Sequence, residues 1–304
     1  MAKIKIVVTV LLLALLLWKV HPRHIYTALK EANFNGLVLA VVLGLVMVLL
    51  RWWKWHVLVK DGLKAGGPKQ SLVSLLGGMA FALVTPARVG ELSRALFFPK
   101  GTKTQVGMLT FLDRVIDLFV VLLYASLGAT SRVSPVFRIV LGATMAVLAF
   151  VVLRFDWVVR LLRRWFQGGW LGSRLAGLDQ VERNLRHVTI LKNFILSCSL
   201  TFFDLITFFV LLRCFVPTVS FSVVLLVFPL VLLVNVAPIT ISGLGLREGT
   251  AIALLAIFKI SSAAAFNATF LSYILNSVAP AVVGAIYARN MKVSFSAQKP
   301  APQS

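Results

Sequence analysis

The stretch Thr85-Pro86-Ala87-Arg88-Val89-Gly90-Glu91-Leu92 interrupts sequence that is otherwise apolar over long distances, and Ser242-Gly243-Leu244-Gly245-Leu246-Arg247-Glu248-Gly249 does the same far downstream. Each sets backbone-breaking residues and an Arg/Glu set among Leu, Val, Ala and Phe. Charge and irregular backbone are expensive in lipid unless they face a polar cavity or each other. These two stretches therefore decide how the chain folds and where its functional site lies.

Composition gives the surroundings. The chain has 304 residues, of which 59% are hydrophobic and 13% charged. A soluble domain carries roughly 25% charged residues, so the class is an all-α, polytopic membrane helix bundle. Lys and Arg number 31 against 10 Asp and Glu, a net charge of +21. The bases lie in short runs between apolar segments, the pattern of a cytoplasmic basic excess, and no nucleic-acid partner is expected. Cys198 and Cys214 would lie ~24 Å apart on one helix, too far to bridge. His21, His24, His56 and His187 make no metal-ligand pattern, and no cofactor is expected.

Residues 4–18 read as an uncleaved first span, 21–33 as an interfacial helix, and 34–50 as a second span ending in the aromatic-basic belt Arg51-Trp52-Trp53-Lys54-Trp55. The apolar run 71–84 is shorter than the ~20 residues a crossing helix needs. It stops at Pro86 and returns through basic residues 88–103, which predicts a re-entrant hairpin. Residues 104–129 form a long span in which Asp113 and Asp117, four apart, share a helix face with Arg114 beside them. A span at 133–153 follows. The connection 154–192 has Trp157, Leu161, Leu162, Trp165 and Phe166 at helical spacing and reads as amphipathic helices on the membrane surface, a plain basic loop being the alternative.

A span at 194–212 carries Asp204. Residues 216–236, interrupted by Pro229, Asn235 and Pro238, lead into the second polar stretch, and 251–258 is again too short to cross. The last span is 263–287. The reading is thus one membrane domain over 1–290 and a disordered cytoplasmic tail over 291–304. Basic runs put the amino terminus, 51–69, 88–103, 154–192 and the tail on one side, expected to be cytoplasmic. The two broken-helix hairpins then enter from opposite sides, the arrangement of an inverted-repeat transporter with its site near the midplane.

At that site Arg88, Arg94, Arg114 and Arg247 offer guanidinium forks that match phosphate or carboxylate. A broken helix adds free N–H groups, and Gly90, Gly243, Gly245 and Gly249 let backbone approach a ligand. Glu91, Asp113, Asp117, Asp204 and Glu248 either hold the arginines or cycle a proton. Ion pairs that only fix the fold are the competing reading for the same residues, and Asn235 and Asn276 read as interhelical hydrogen-bond partners. No nucleophile elbow, metal motif or nucleotide loop is present, so no catalytic residue is assigned.

Pro86-Ala87-Arg88-Val89-Gly90-Glu91 with Arg94, then Asp113-Arg114-Val115-Ile116-Asp117-Leu118, then Pro238 followed by Gly243-Leu244-Gly245-Leu246-Arg247-Glu248-Gly249, make the chain resemble a known family. It is similar to the membrane domain of bacterial lysylphosphatidylglycerol synthases and their stand-alone, flippase-like relatives. Ala87 stands where relatives often have Gly, and Asp113 where they often have Glu. The resemblance implies a lipid translocase that binds an anionic phospholipid or polyprenyl-linked headgroup in a midplane cavity. Its expected location is a bacterial inner membrane, with both termini cytoplasmic. Aminoacyl transfer belongs to a separate soluble domain in the full synthases and is not expected here. The alternatives are a membrane-embedded enzyme or accessory subunit acting on a lipid-linked cell-envelope intermediate, and a scaffold docking a synthase through 154–192. A second copy of the chain is a further partner to consider.

Overall fold

A computed structural model describes residues 26–27, 30, 32–64, 66–85, 88–99, 102–128, 135–165, 178–234 and 239–290. The expected first span at 4–18, Pro86, Asn235, Pro238 and the tail at 291–304 lie outside them, as does most of the expected interfacial helix. The fold is all-helical, with no β-strand among the described residues.

Helix α1 (Phe34–Leu63) starts where the Asn33 side chain accepts a hydrogen bond from Gly36 N at 3.3 Å, and it ends at Lys64 with φ 50°. At 30 residues it is ~45 Å long, more than a bilayer core requires. This corrects the expected span at 34–50 with its interfacial belt and loop. Nothing between Arg51 and Leu63 breaks the helix, and Arg51, Lys54, Trp55 and Leu58 recur at the spacing of one inward face. The true stop is Gly66-Gly67-Pro68.

Pro68 opens α2 (Pro68–Val84), 17 residues long, and a 3-10 segment (Val89–Phe97) packs back against it. Gly90 makes the reversal feasible: a Cβ there would sit 2.3 Å from Phe81 O, and its N–H donates to Thr85 Oγ1 at 2.7 Å. Helix α3 (Lys103–Gly128) crosses beside this hairpin. Helix α4 (Pro135–Leu153) bends by 75° into α5 (Phe155–Trp165), and α6 (Leu178–Asn184) precedes the second long helix, α7 (His187–Phe215). Among its described residues, the connection 154–192 holds α5, α6 and the start of α7.

Helix α8 (Phe221–Val234) keeps Pro229 inside it, and α9 (Leu246–Ala256) follows the second polar stretch. The last rod is α10 (Ser262–Tyr273), one π-helical turn (Ile274–Val278) and α11 (Ala279–Asn290). Among the described residues three helices are long and apolar enough to cross a membrane, α1, α7 and the rod Ser262–Tyr287, with mean hydropathies of 2.3, 2.2 and 1.6, and the bent pair α4–α5 makes a fourth if it is one span. Helix α3 is as long as the rod, but Asp113, Arg114 and Asp117 set it apart in composition.

Two apolar cores organise the bundle. One joins α1, α2, α3 and α5 around Trp55, Leu109, Leu112 and Ile116; the other joins α7 to α10 around Leu205, Phe208, Phe228 and Leu255. Tyr124 on α3 packs against both, and its hydroxyl donates to Cys198 O at 3.1 Å.

Candidate functional site

Where the two cores meet, α1, α2, the 3-10 segment, α3, α7 and α8 leave a cavity of about 470 Å³. Arg51, Lys54, Arg88, Arg94 and Arg114 line it against Glu91, Asp113, Asp117 and Asp204, an excess of one positive charge. Val89, Leu92, Phe111 and Leu118 supply apolar wall.

Glu91 is the hub, and it is 2% exposed. Its Oε2 takes Arg94 Nη2 at 2.9 Å and Arg114 Nη2 at 2.7 Å, while its Oε1 lies 3.1 Å from Arg88 Nε. The Arg88 contact is a close ion pair without hydrogen-bond alignment. Three guanidiniums on one carboxylate would repel one another, so further carboxylates are required. Asp113 meets Arg94 at 3.1 Å and Lys54 Nζ at 3.0 Å; Asp117 pairs with Lys54, sits 3.6 Å from Arg114 and accepts from Ser197 Oγ at 2.8 Å. The shared face of Asp113 and Asp117 is therefore real, and Lys54 joins them.

The three arginines are not equivalent. Arg94 is 1% exposed, held by two carboxylates with its guanidinium 4.6 Å from the Trp55 ring centre. Its place is inside the wall. The Arg88 and Arg114 side chains are 26% and 42% exposed, and both line the cavity. Each guanidinium carries five N–H donors, more than its carboxylate partners use. Arg88 is fixed by a left-handed backbone, φ 56°, at the start of the 3-10 segment. That conformation is uncommon for a side chain of this size, and it occurs at the motif.

The second stretch is built differently. Ser242, Gly243 and Gly245 have φ of 53°, 75° and 81°, a run of left-handed residues that turns the chain into α9. Glu248, fully buried, caps that helix by accepting from Gly245 N at 2.7 Å and also pairs with Arg247. The Arg247 guanidinium stacks 4.2 Å from the Tyr273 ring centre. Arg247 and Glu248 do not form the cavity wall; they stand beside it.

The two motifs nevertheless converge. Arg247 stacks on Tyr273, three residues before Asn276 on the last rod, and Asp204 on α7 lines the cavity together with Arg88. Asn276, in the π-helical turn, donates to Asp204 Oδ1 at 2.7 Å and offers its carbonyl to Arg51, whose Nη2 is 3.9 Å from Asp204. Arg51, Lys54 and Trp55, expected in an interfacial belt, and Tyr273, given no role, are thus neighbours of the site, while Asn276 makes the interhelical bond expected of it. The signal that could have found Lys54 was the missing counter-charge for Asp113 and Asp117 in an apolar helix.

An apolar helical bundle enclosing an ion-paired cavity defines a polytopic membrane protein. The profile of the lysylphosphatidylglycerol synthase TM region matches residues 3–284, and the chain belongs to that family. It is also similar to a UPF0104 membrane protein of Methanothermobacter thermautotrophicus, with 23% identity over 305 aligned positions covering 90% of each chain.

Proposed function

We propose that the protein is a lipid translocase whose cavity takes an anionic headgroup. One observation carries this reading: an internal cavity with excess positive charge, in which Arg88 and Arg114 keep donors free. A phosphate there adds acceptor oxygens that a guanidinium fork matches. Glu91, Asp113 and Asp117 hold the forks in place, with Arg94 and Lys54 closing the buried side of the network. The route continues past Asp204 and Tyr273 to Arg247, so that the two broken-helix hairpins serve one passage. Val89, Leu92 and Phe111 line the apolar side, where acyl chains can follow. The cargo class is an anionic phospholipid or a lipid-linked headgroup. A bacterial cell membrane with both termini cytoplasmic fits the distribution of basic runs.

Native mass spectrometry of the purified protein, wild type beside the Arg88→Ala, Arg247→Ala double variant, tests the reading. The expected result is that the variant carries one co-purifying anionic lipid fewer than the wild type at unchanged helix content. An equal number of bound lipids in both would assign the arginines to the fold alone.

A further inference from the structure

A second opening, sharing no residue with the cavity, lies where the end of α1 meets the α6–α7 junction. It is a cleft of about 710 Å³ with Lys60 and Lys64 on one wall and Arg183, Arg186 and Lys192 on the other. Asp61 is its one lining carboxylate among the described residues, and that group already accepts from Thr189 Oγ1 at 2.7 Å, tying α1 to α7. Asn184 Nδ2 makes a second tie to Gly62 O at 3.1 Å. None of the five cations forms an ion pair among the described residues. Five like charges held around one space repel one another unless an anion sits among them.

We propose that this cleft is a separate binding site for a phosphate group. Arg186 precedes the first turn of α7 and gives it no side-chain cap, so backbone N–H groups there add to the field. The neighbouring surface indicates which phosphate. Val188, in the cleft wall, starts an exposed apolar stripe with Leu191 and Ile195, which are 58%, 56% and 54% exposed at helical spacing. A headgroup in the cleft would lay its acyl chains along that stripe. A phospholipid bound at the rim of the bundle meets both halves of the surface; free phosphate meets one.

The test uses the full-length protein in detergent, titrated with dioleoylphosphatidylglycerol and, separately, with inorganic phosphate. Lipid is counted by native mass spectrometry and phosphate by isothermal calorimetry. The variants are Arg183→Gln, Arg186→Gln, Lys192→Gln combined, and the charge-preserving Arg183→Lys, Arg186→Lys pair. The expected result is that the neutralised variant binds one phosphatidylglycerol fewer, or binds it at least tenfold more weakly. The Lys pair should retain it, and so should the Arg88→Ala, Arg247→Ala variant, which separates this site from the central cavity. Phosphate binding lost on neutralisation, with lipid counts unchanged, would support the cleft with a soluble ligand instead. Lipid and phosphate binding both unchanged by neutralisation would overturn the proposal.

Discussion

Glu91 answers three arginines at once, and that makes it more important to stability than any one of them. Removing one partner of a buried ion pair costs about 3–5 kcal/mol because the other charge is left uncompensated. Glu91→Gln is isosteric but leaves Arg94 with Asp113 alone, so a loss in that range is expected, read as a lowered midpoint of thermal unfolding in detergent. Arg88→Ala removes the 26%-exposed partner and should cost about 1 kcal/mol or less while abolishing headgroup binding. Equal destabilisation by the two would mean that Arg88 is as structural as Arg94. Arg247→Lys is a third case. A lysine keeps the charge but not the planar stack on Tyr273, and about 1–2 kcal/mol is expected from that loss by the same thermal measurement.

Among the elements, helix ends were legible where an apolar run met a breaker, as where the 71–84 run stops at Val84 before Pro86. Legibility failed on α1, where Trp and basic residues look alike whether they mark a membrane interface or bury against partner carboxylates. Spacing distinguishes the two. Arg51, Lys54, Trp55 and Leu58 lie on one face, and a belt has no reason to be one-sided. The first hairpin was readable from the short run ending at Pro86, but what holds it was not. Helix α11 packs on α2 so closely that a Cβ on Gly284 would lie 2.1 Å from Leu76 O. Gly284→Leu should therefore push α11 away and destabilise the fold by about 1–3 kcal/mol, visible as a lower unfolding midpoint. A midpoint equal to the wild type would show that the hairpin is held elsewhere.

At the scale of the molecule, two cores share Tyr124, and the cavity lies between them. Tyr124→Ala should cost about 3 kcal/mol and, because it cuts a shared contact, split one calorimetric unfolding transition into two. Tyr124→Phe, which loses only the hydrogen bond to Cys198 O, should keep a single transition. The convergence of the two polar stretches belongs to this scale too. Motif pairing suggested it and counted Asp204 with the site; Tyr273, on which Arg247 stacks, gave no signal in the sequence.

Helix α3 has a consequence for biosynthesis. Each charged residue at the centre of an inserting helix costs the translocon about 2.5–3.5 kcal/mol, and α3 carries Asp113, Arg114 and Asp117. The side chains that neutralise these charges, Lys54, Glu91 and Arg94, are all made earlier in the chain. When α3 leaves the ribosome its counter-charges have already been synthesised, and it can enter the bilayer as part of a pre-assembled ion-paired group instead of alone. Order of translation thus makes these counter-charges available before the helix that needs them.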